Sequence, residues 1–200
     1  MTPKLHIGSG STPLPGWTNV DLAPYAGVDA VLDVRHGLPF SGVGFIFAEH
    51  FLERLTLAEG LAFLRECRRV LLPAGVLRLS TPNLDWVWQT HYKPPLEMTA
   101  RERLLGCLEL NRAFHGWGHR FLFNLETLTL ALLAAGLATV RPLTYDESGV
   151  PELRGLERHE RHADLPDLPS VVVVEGDGEG SPGGAFEAAI APYVRDAAVA

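Results

Sequence analysis

The chain has 200 residues, 46% of them hydrophobic and 20% charged, which suits one domain with an apolar core. That composition excludes disorder over most of the length. Seventeen basic residues against twenty-four acidic ones leave a net charge of −7, and Lys4 and Lys93 are the only lysines, so the basic stripe of a nucleic-acid surface is absent.

In chain order, the first half alternates short apolar runs with helical periodicity, which is the pattern of an α/β sheet. Strands are expected over 5–8, 18–22, 29–34, 44–48 and 75–80. A crossover helix over 57–72 joins the last two, with Leu61, Leu64, Val70 and Leu71 as its apolar positions and Pro73-Ala74-Gly75 as its stop. The first three strands are separated by segments too short for ordinary parallel crossovers. Either the early helices are trimmed to single turns, the reading favoured here, or these strands are not simple parallel neighbours. A short helix over 83–92 is followed by the Lys93-Pro94-Pro95 break. Thr99 with Glu102 has capping-box spacing at the head of a helix over 99–112, with Leu104, Leu105 and Leu108 on one face. A helix over 125–135 ends at Gly136. Strands over 138–145 and 170–175 bring the total to seven, the last of them a buried β-branched run. Residues 1–175 thus form one domain, and 176–200 a glycine-rich linker with a short helix that is either a frayed tail or a lid or subunit contact.

No apolar run nears the roughly 20 residues that cross a bilayer, and the opening MTPKLH lacks the long apolar segment of a secretory signal. A cytoplasmic protein is expected. Cys67 and Cys107 stand alone without CxxC spacing, against a disulfide framework or a cysteine-built zinc site.

The strongest local signal is His6-Ile7-Gly8-Ser9-Gly10 at the end of the first strand. Paired glycines at a strand's carboxyl end are either an ordinary tight turn or a place where backbone approaches a nucleotide. Asp21 and Asp33, near the ends of the second and third strands, favour the nucleotide: a carboxylate there accepts hydrogen bonds from a ribose diol, and a second receives an adenine amine. A dinucleotide oxidoreductase is disfavoured because Pro13 stands where GxGxxG needs its third glycine.

The segments KLHIGSGSTPLPGWTNVDL, DAVLDVRHGLPF, AEHFLERL and ECRRVLLPAGVLRLSTPNL resemble, in order, the motifs of small class I S-adenosylmethionine (SAM)-dependent methyltransferases. NRAFHGWGHRFLFNLETL and DESGVPELRGLERH are similar to later segments of a subgroup associated with bacterial saccharide and surface-polymer pathways. The resemblance spans about residues 4–175 and implies a Rossmann-like fold with a seven-stranded, mostly parallel sheet. It further implies that Gly8, Ser9 and Gly10 lie against the methionine moiety and ribose of SAM, or of its product S-adenosylhomocysteine (SAH). Asp21 would hold the ribose hydroxyls, and Asp33 with the Val34 backbone the adenine. Glu49 and His50 would face the sulfonium. His6 departs from the family, which usually has an acid there, and Gly42-Val43-Gly44 replaces its D-x-I landmark.

Methyl transfer from a sulfonium is governed largely by alignment, with a general base needed only where the nucleophile must lose a proton. His50, His115 and His119 are the base candidates and are expected to converge on one cavity. His115 and His119 have helical metal spacing, but Gly116 and Gly118 favour a loop and no acid follows at ligand spacing, so no metal is expected. Trp86, Trp88 and Trp117 could stack on an acceptor or simply pack, and 146–167 reads as a solvated, ion-paired loop or as an acceptor or dimer wall. The expected activity is methyl transfer to an O or N nucleophile of a small molecule or saccharide intermediate. The alternatives are a SAM- or SAH-binding protein without transfer and a non-enzymatic interaction module. A homodimer is left open.

Overall fold

The computed structural model describes residues 2–92, 98–181 and 183–197; the Lys93-Pro94-Pro95 break and Val199 lie outside them. Seven strands form one sheet: β1 (Lys4–Ile7), β2 (Thr18–Asp21), β3 (Ala30–Val31), β4 (Val43–Glu49), β5 (Leu71–Pro82), β6 (Thr139–Leu143) and β7 (Val171–Asp177). Their order is β3-β2-β1-β4-β5-β7-β6, with β7 antiparallel to both neighbours and the β3–β5 pairings parallel. The strands come where alternation placed them. β3 is shorter than expected because Asp33 leaves the ladder to cap a 3-10 turn at Val34–His36.

α1 (Leu57–Val70) starts on a full capping box, Thr56 with Glu59, and buries Leu57, Leu61, Leu64 and Val70. α2 (Leu84–His91) is capped by Asn83, and α3 (Ala100–Asn111) by the Thr99–Glu102 box. α3 buries no side chain, and Leu104, Leu105 and Leu108 are exposed. α4 (Leu125–Ala134) closes in a Schellman turn: Gly136, at φ 96°, donates to Leu133, and Leu137 donates to Leu132. α5 (Gly184–Ala197) packs Phe186 and Ile190 against the main core, and Glu187 pairs with Arg65 of α1.

Alternation splits β4 and β5 between two cores. Ile46, Ala48, Leu77 and Leu79 face α1 and α4. Phe47 and Val76 face the opposite side, where Leu14, Trp17, Leu156 and Leu153 of the 3-10 turn Pro151–Leu153 cover them.

The early crossovers are reduced further than to single helical turns. β1, β2 and β3 are adjacent and parallel, yet no helix joins them. Asn19 does the work a helix would do. Its Oδ1 accepts from the Leu14 amide at 2.7 Å and from His6 Nδ1 at 3.1 Å, while its Nδ2 donates to Leu14 O, Trp17 O and Asp29 Oδ2. One buried amide thereby ties down the backbone of Leu14 and Trp17 in the crossover.

The 146–167 stretch is largely the exposed, ion-paired loop expected of it, with Arg161 paired to Asp164, but one of its acids is not solvated. Arg78 of β5, fully buried, donates from Nε to Glu157 Oε1 at 2.7 Å and from Nη1 to Glu175 Oε1 at 2.9 Å. The same Nη1 holds Glu147 O at 2.8 Å. Of the segment's charged side chains, Glu157 thus turns inward on an arginine of the sheet, joined there by Glu175 of β7.

Candidate functional site

The carboxyl ends of β1, β2 and β4, with the turn after β3, open on a cavity of about 540 Å³. Parallel strands place their following loops on one edge, so residues far apart in sequence meet there. Gly8, Ser9, Gly10, Asp21, Asp33, Val34, Glu49 and His50 all line it. His115 and His119 do not.

The glycine turn fits its place for steric reasons. Gly8 sits at φ 70°, and a Cβ there would come within 2.6 Å of the Phe51 ring. Gly10 sits at φ 52° and a Cβ would meet nothing within 4 Å, which leaves its backbone open to a ligand. Between them Ser9 is buried, and its Oγ has no hydrogen-bond partner within the protein. Such an orphaned hydroxyl is uncommon in an interior and leaves a polar atom for a ligand group to partner.

Asp21 ties β2 to this turn, with Oδ2 accepting from Gly10 N at 2.8 Å and Oδ1 from Ala23 N at 3.0 Å. A carboxylate has about four acceptor positions, so each oxygen retains one for a hydroxyl. Asp33 is more occupied. It accepts from the Arg35 amide, from Nε and from Nη2, and these hydrogen bonds hold its carboxyl down at about 2. Val34 lines the cavity beside it.

Glu49 lines the cavity but spends its carboxylate on the protein. It accepts from the Arg158 amide at 2.9 Å, the His159 amide at 3.1 Å and His159 Nδ1 at 2.9 Å, with the Tyr145 hydroxyl at 3.3 Å. Burial pushes the Glu49 carboxyl up, but the His159 ring and the two amides together outweigh it and leave it below the ordinary value. The same contact raises His159. This latch brings His159 into the cavity wall, where its ring centroid lies 4.8 Å from that of His50.

His50 itself occupies the left-handed region at φ 47°, rare for a side-chain-bearing residue. Its Nδ1 donates to Glu53 Oε1 at 3.2 Å, and Glu53 Oε2 accepts from Thr81 Oγ1 at 3.0 Å.

The histidines that converge are thus His50 and His159, not His50 with His115 and His119. His115 belongs to a π-turn at Arg112–Gly116, and His119 turns back to bond Ala113 O at 2.7 Å. His6, in the position of the family's acid, points into the Asn19 network and stacks on Phe47; burial lowers its pKa and favours the uncharged ring. Trp86 is core: it donates to Ala163 O and stacks on His162. Trp88 and Trp117 are exposed, stacked on Tyr92 and under Arg112 respectively. His159 was missed because its signal is a contact and not a spacing. Among the described residues no group of three or more His, Cys, Asp or Glu could hold a metal, and no helix is long and apolar enough to cross a membrane.

No family model and no curated protein matches the chain. Solved structures do. A SAM-dependent methyltransferase from Thermotoga maritima, described as a possible histamine N-methyltransferase, aligns with TM-score 0.55 and 17% identity over 90% of this chain and 83% of its own. The methyltransferase SibL aligns with TM-score 0.51 and 12% identity over 89% of this chain and 50% of its own. PigF, solved with SAH, gives TM-score 0.50 and 16% identity over 88% and 50%. The chain therefore spans about half the length of PigF and SibL. Its seven-stranded sheet with a single antiparallel strand, β7, has the α/β fold of the Rossmann-like methyltransferases.

Proposed function

We propose that the chain is a SAM-dependent methyltransferase acting on an O or N nucleophile of a small molecule or saccharide intermediate. The observation that carries this reading is the turn Gly8–Ser9–Gly10 set against Asp21 in one cavity. The backbone is open at Gly10, a buried Ser9 Oγ is unpaired, and a carboxylate retains free acceptor positions. Those groups match a ribose and an amino-acid moiety carried together. Gly8, Ser9 and Gly10 would hold the methionine end, Asp21 the ribose hydroxyls, and the Val34 backbone the adenine. When bound, SAM supplies an electrophilic methyl group whose carbon–sulfur bond breaks with its electron pair to sulfur. The saccharide part of the reading rests on the sequence motifs.

A binding protein without methyl transfer is the second reading. It draws on His6, a buried imidazole in the place of an acid, and on the Asp33 carboxylate engaged by Arg35. Calorimetry with SAM, SAH and NAD separates dinucleotide binding from both, and consumption of SAM with a panel of hydroxyl and amine acceptors separates the two readings from each other. SAH should bind in the micromolar range. Asp21→Ala should weaken it by about 1–3 kcal/mol, the worth of a hydrogen bond to a charged acceptor. Binding of NAD in place of SAH would overturn the proposal.

A further inference from the structure

We infer that His50 and Glu53 form a base dyad for the methyl acceptor, with Nε2 of His50 as the proton-accepting atom and Glu53 as the residue that positions it. The inference deepens the methyltransferase reading above and rests on it.

Four observations converge. The first is backbone strain: at φ 47° His50 adopts a conformation that most side chains avoid, at the mouth of β4 where the cavity begins. Strain of this kind persists where the surrounding structure imposes it, and it clusters at active sites. Here the imposing groups are visible. The His50 amide donates to Ser80 O at 3.0 Å, and Arg54 Nε donates to His50 O at 3.2 Å.

The second is the carboxylate behind the ring. Glu53 sits on the 3-10 turn Leu52–Arg54 and is buried, with its two oxygens divided between His50 Nδ1 and Thr81 Oγ1. Its own carbonyl accepts from the amides of Arg120 and Phe121, so the late segment of the chain clamps the turn in place. A carboxylate fixed at both oxygens sets the ring's orientation and its tautomer together. With Nδ1–H donating to Glu53, the free lone pair of an uncharged His50 is on Nε2.

The third is Nε2 itself, which is buried and has no partner within the protein. A buried ring nitrogen without a partner is costly, and a hydroxyl or amine held in the cavity supplies the missing donor.

The fourth is the neighbouring imidazole. His159 has a carboxylate of its own, Glu49, 2.9 Å from Nδ1, and its ring is 4.8 Å from that of His50. Arg54 lines the same cavity. The charged groups around His50 are thus Glu53, Glu49, His159 and Arg54, and the two glutamates keep the two rings in separate roles. In the reaction, the acceptor's lone pair forms the bond to the methyl carbon, its proton passes to His50 Nε2, and the resulting imidazolium is neutralised by Glu53 before the proton leaves to solvent.

The test is nitrogen NMR of protein labelled with 15N-histidine, free and saturated with SAH, across pH. The wild type should show the uncharged His50 ring protonated at Nδ1 and bare at Nε2, and Glu53→Gln, whose amide can turn either its oxygen or its nitrogen to the ring, should mix the two tautomers. A wild-type His50 with its proton on Nε2 overturns the inference, and so does a tautomer that Glu53→Gln leaves unmoved. If that variant does not fold, the wild-type tautomer alone decides. Failure of SAH to bind would strike the methyltransferase reading, and the tautomer in the free protein still reports on the dyad.

Discussion

Glu49 and His159, 110 residues apart in sequence, meet as an ion pair with Oε2 2.9 Å from Nδ1, and the contact carries the 144–170 segment to the edge of the cavity. Both partners hold more than a surface pair would. Glu49 is buried and also anchors the Arg158 and His159 amides, so the latch fixes backbone as well as charge.

Its pH dependence follows from the two shifts. His159 is raised above the ordinary 6.5, so its contribution is full below that value and is lost as pH climbs through the higher folded value. Glu49 is lowered beneath the ordinary 4.5, so its contribution is full above that value and is lost as pH falls through the lower folded one. The latch is therefore strongest between about 4.5 and 6.5. Hydrogen exchange of the Arg158 and His159 amides, corrected for intrinsic rate, should show greatest protection in that window and a decline above it. His159→Ala should abolish the upper limb, and an unchanged limb in that variant would remove His159 as its cause.

Asn19 should be among the most sensitive residues outside the cavity. Asn19→Ala leaves the Leu14 amide and the His6 ring without their shared acceptor, at about 1–3 kcal/mol for each buried group left unpaired. Asn19→Asp keeps the shape and the acceptor but turns a donor to Asp29 into a second carboxylate. Its cost should shrink on acidification as one carboxyl takes a proton. Denaturant midpoints at neutral and mildly acidic pH measure both effects, and a pH-independent loss for Asn19→Asp would contradict the repulsion.

This asparagine also marks what the sequence made legible. Strand ends were readable because alternation and flanking glycines are local, so Asp21 and the Gly8–Gly10 turn fall where the reading put them, while Asp33 lies past the end of the strand expected to hold it. The helix-less crossovers were not, since Asn19 replaces a helix through five bonds to four residues, His6, Leu14, Trp17 and Asp29. His159 shares the difficulty: its partner is a tertiary neighbour. The buried Arg78 cluster did leave a signal, an arginine inside the strand run VLRLS facing a glutamate at the end of VVVVE. A buried charge in one strand demands its opposite in another.

Arg78 supports the next prediction. Its side chain and those of Glu157 and Glu175 are almost wholly buried, and burial pushes the Glu157 carboxyl up even beside the guanidinium. Arg78→Ala would leave two carboxylates uncompensated and should cost about 3–5 kcal/mol. The loss should be smaller in Arg78→Ala combined with Glu157→Gln, because one of the stranded charges is then gone. Equal denaturant midpoints for the single and double variants would show that the segment simply carries its acids out to water.

His50 offers a test that separates backbone from chemistry. His50→Ala and His50→Gly both delete the imidazole, but only glycine accepts φ 47° without strain. The glycine variant should therefore be the more stable by about 1 kcal/mol, the cost of the left-handed region for a residue with a Cβ. It also leaves a hole of imidazole shape beside Glu53. With an acceptor that the wild type turns over, both variants should lose about 10²–10⁴-fold in kcat while SAH affinity stays nearly unchanged. Added imidazole should restore part of the rate in His50→Gly, with a pH profile that follows the added base. Alignment without proton transfer predicts the opposite pattern: a raised acceptor KM, an almost intact kcat and no response to imidazole.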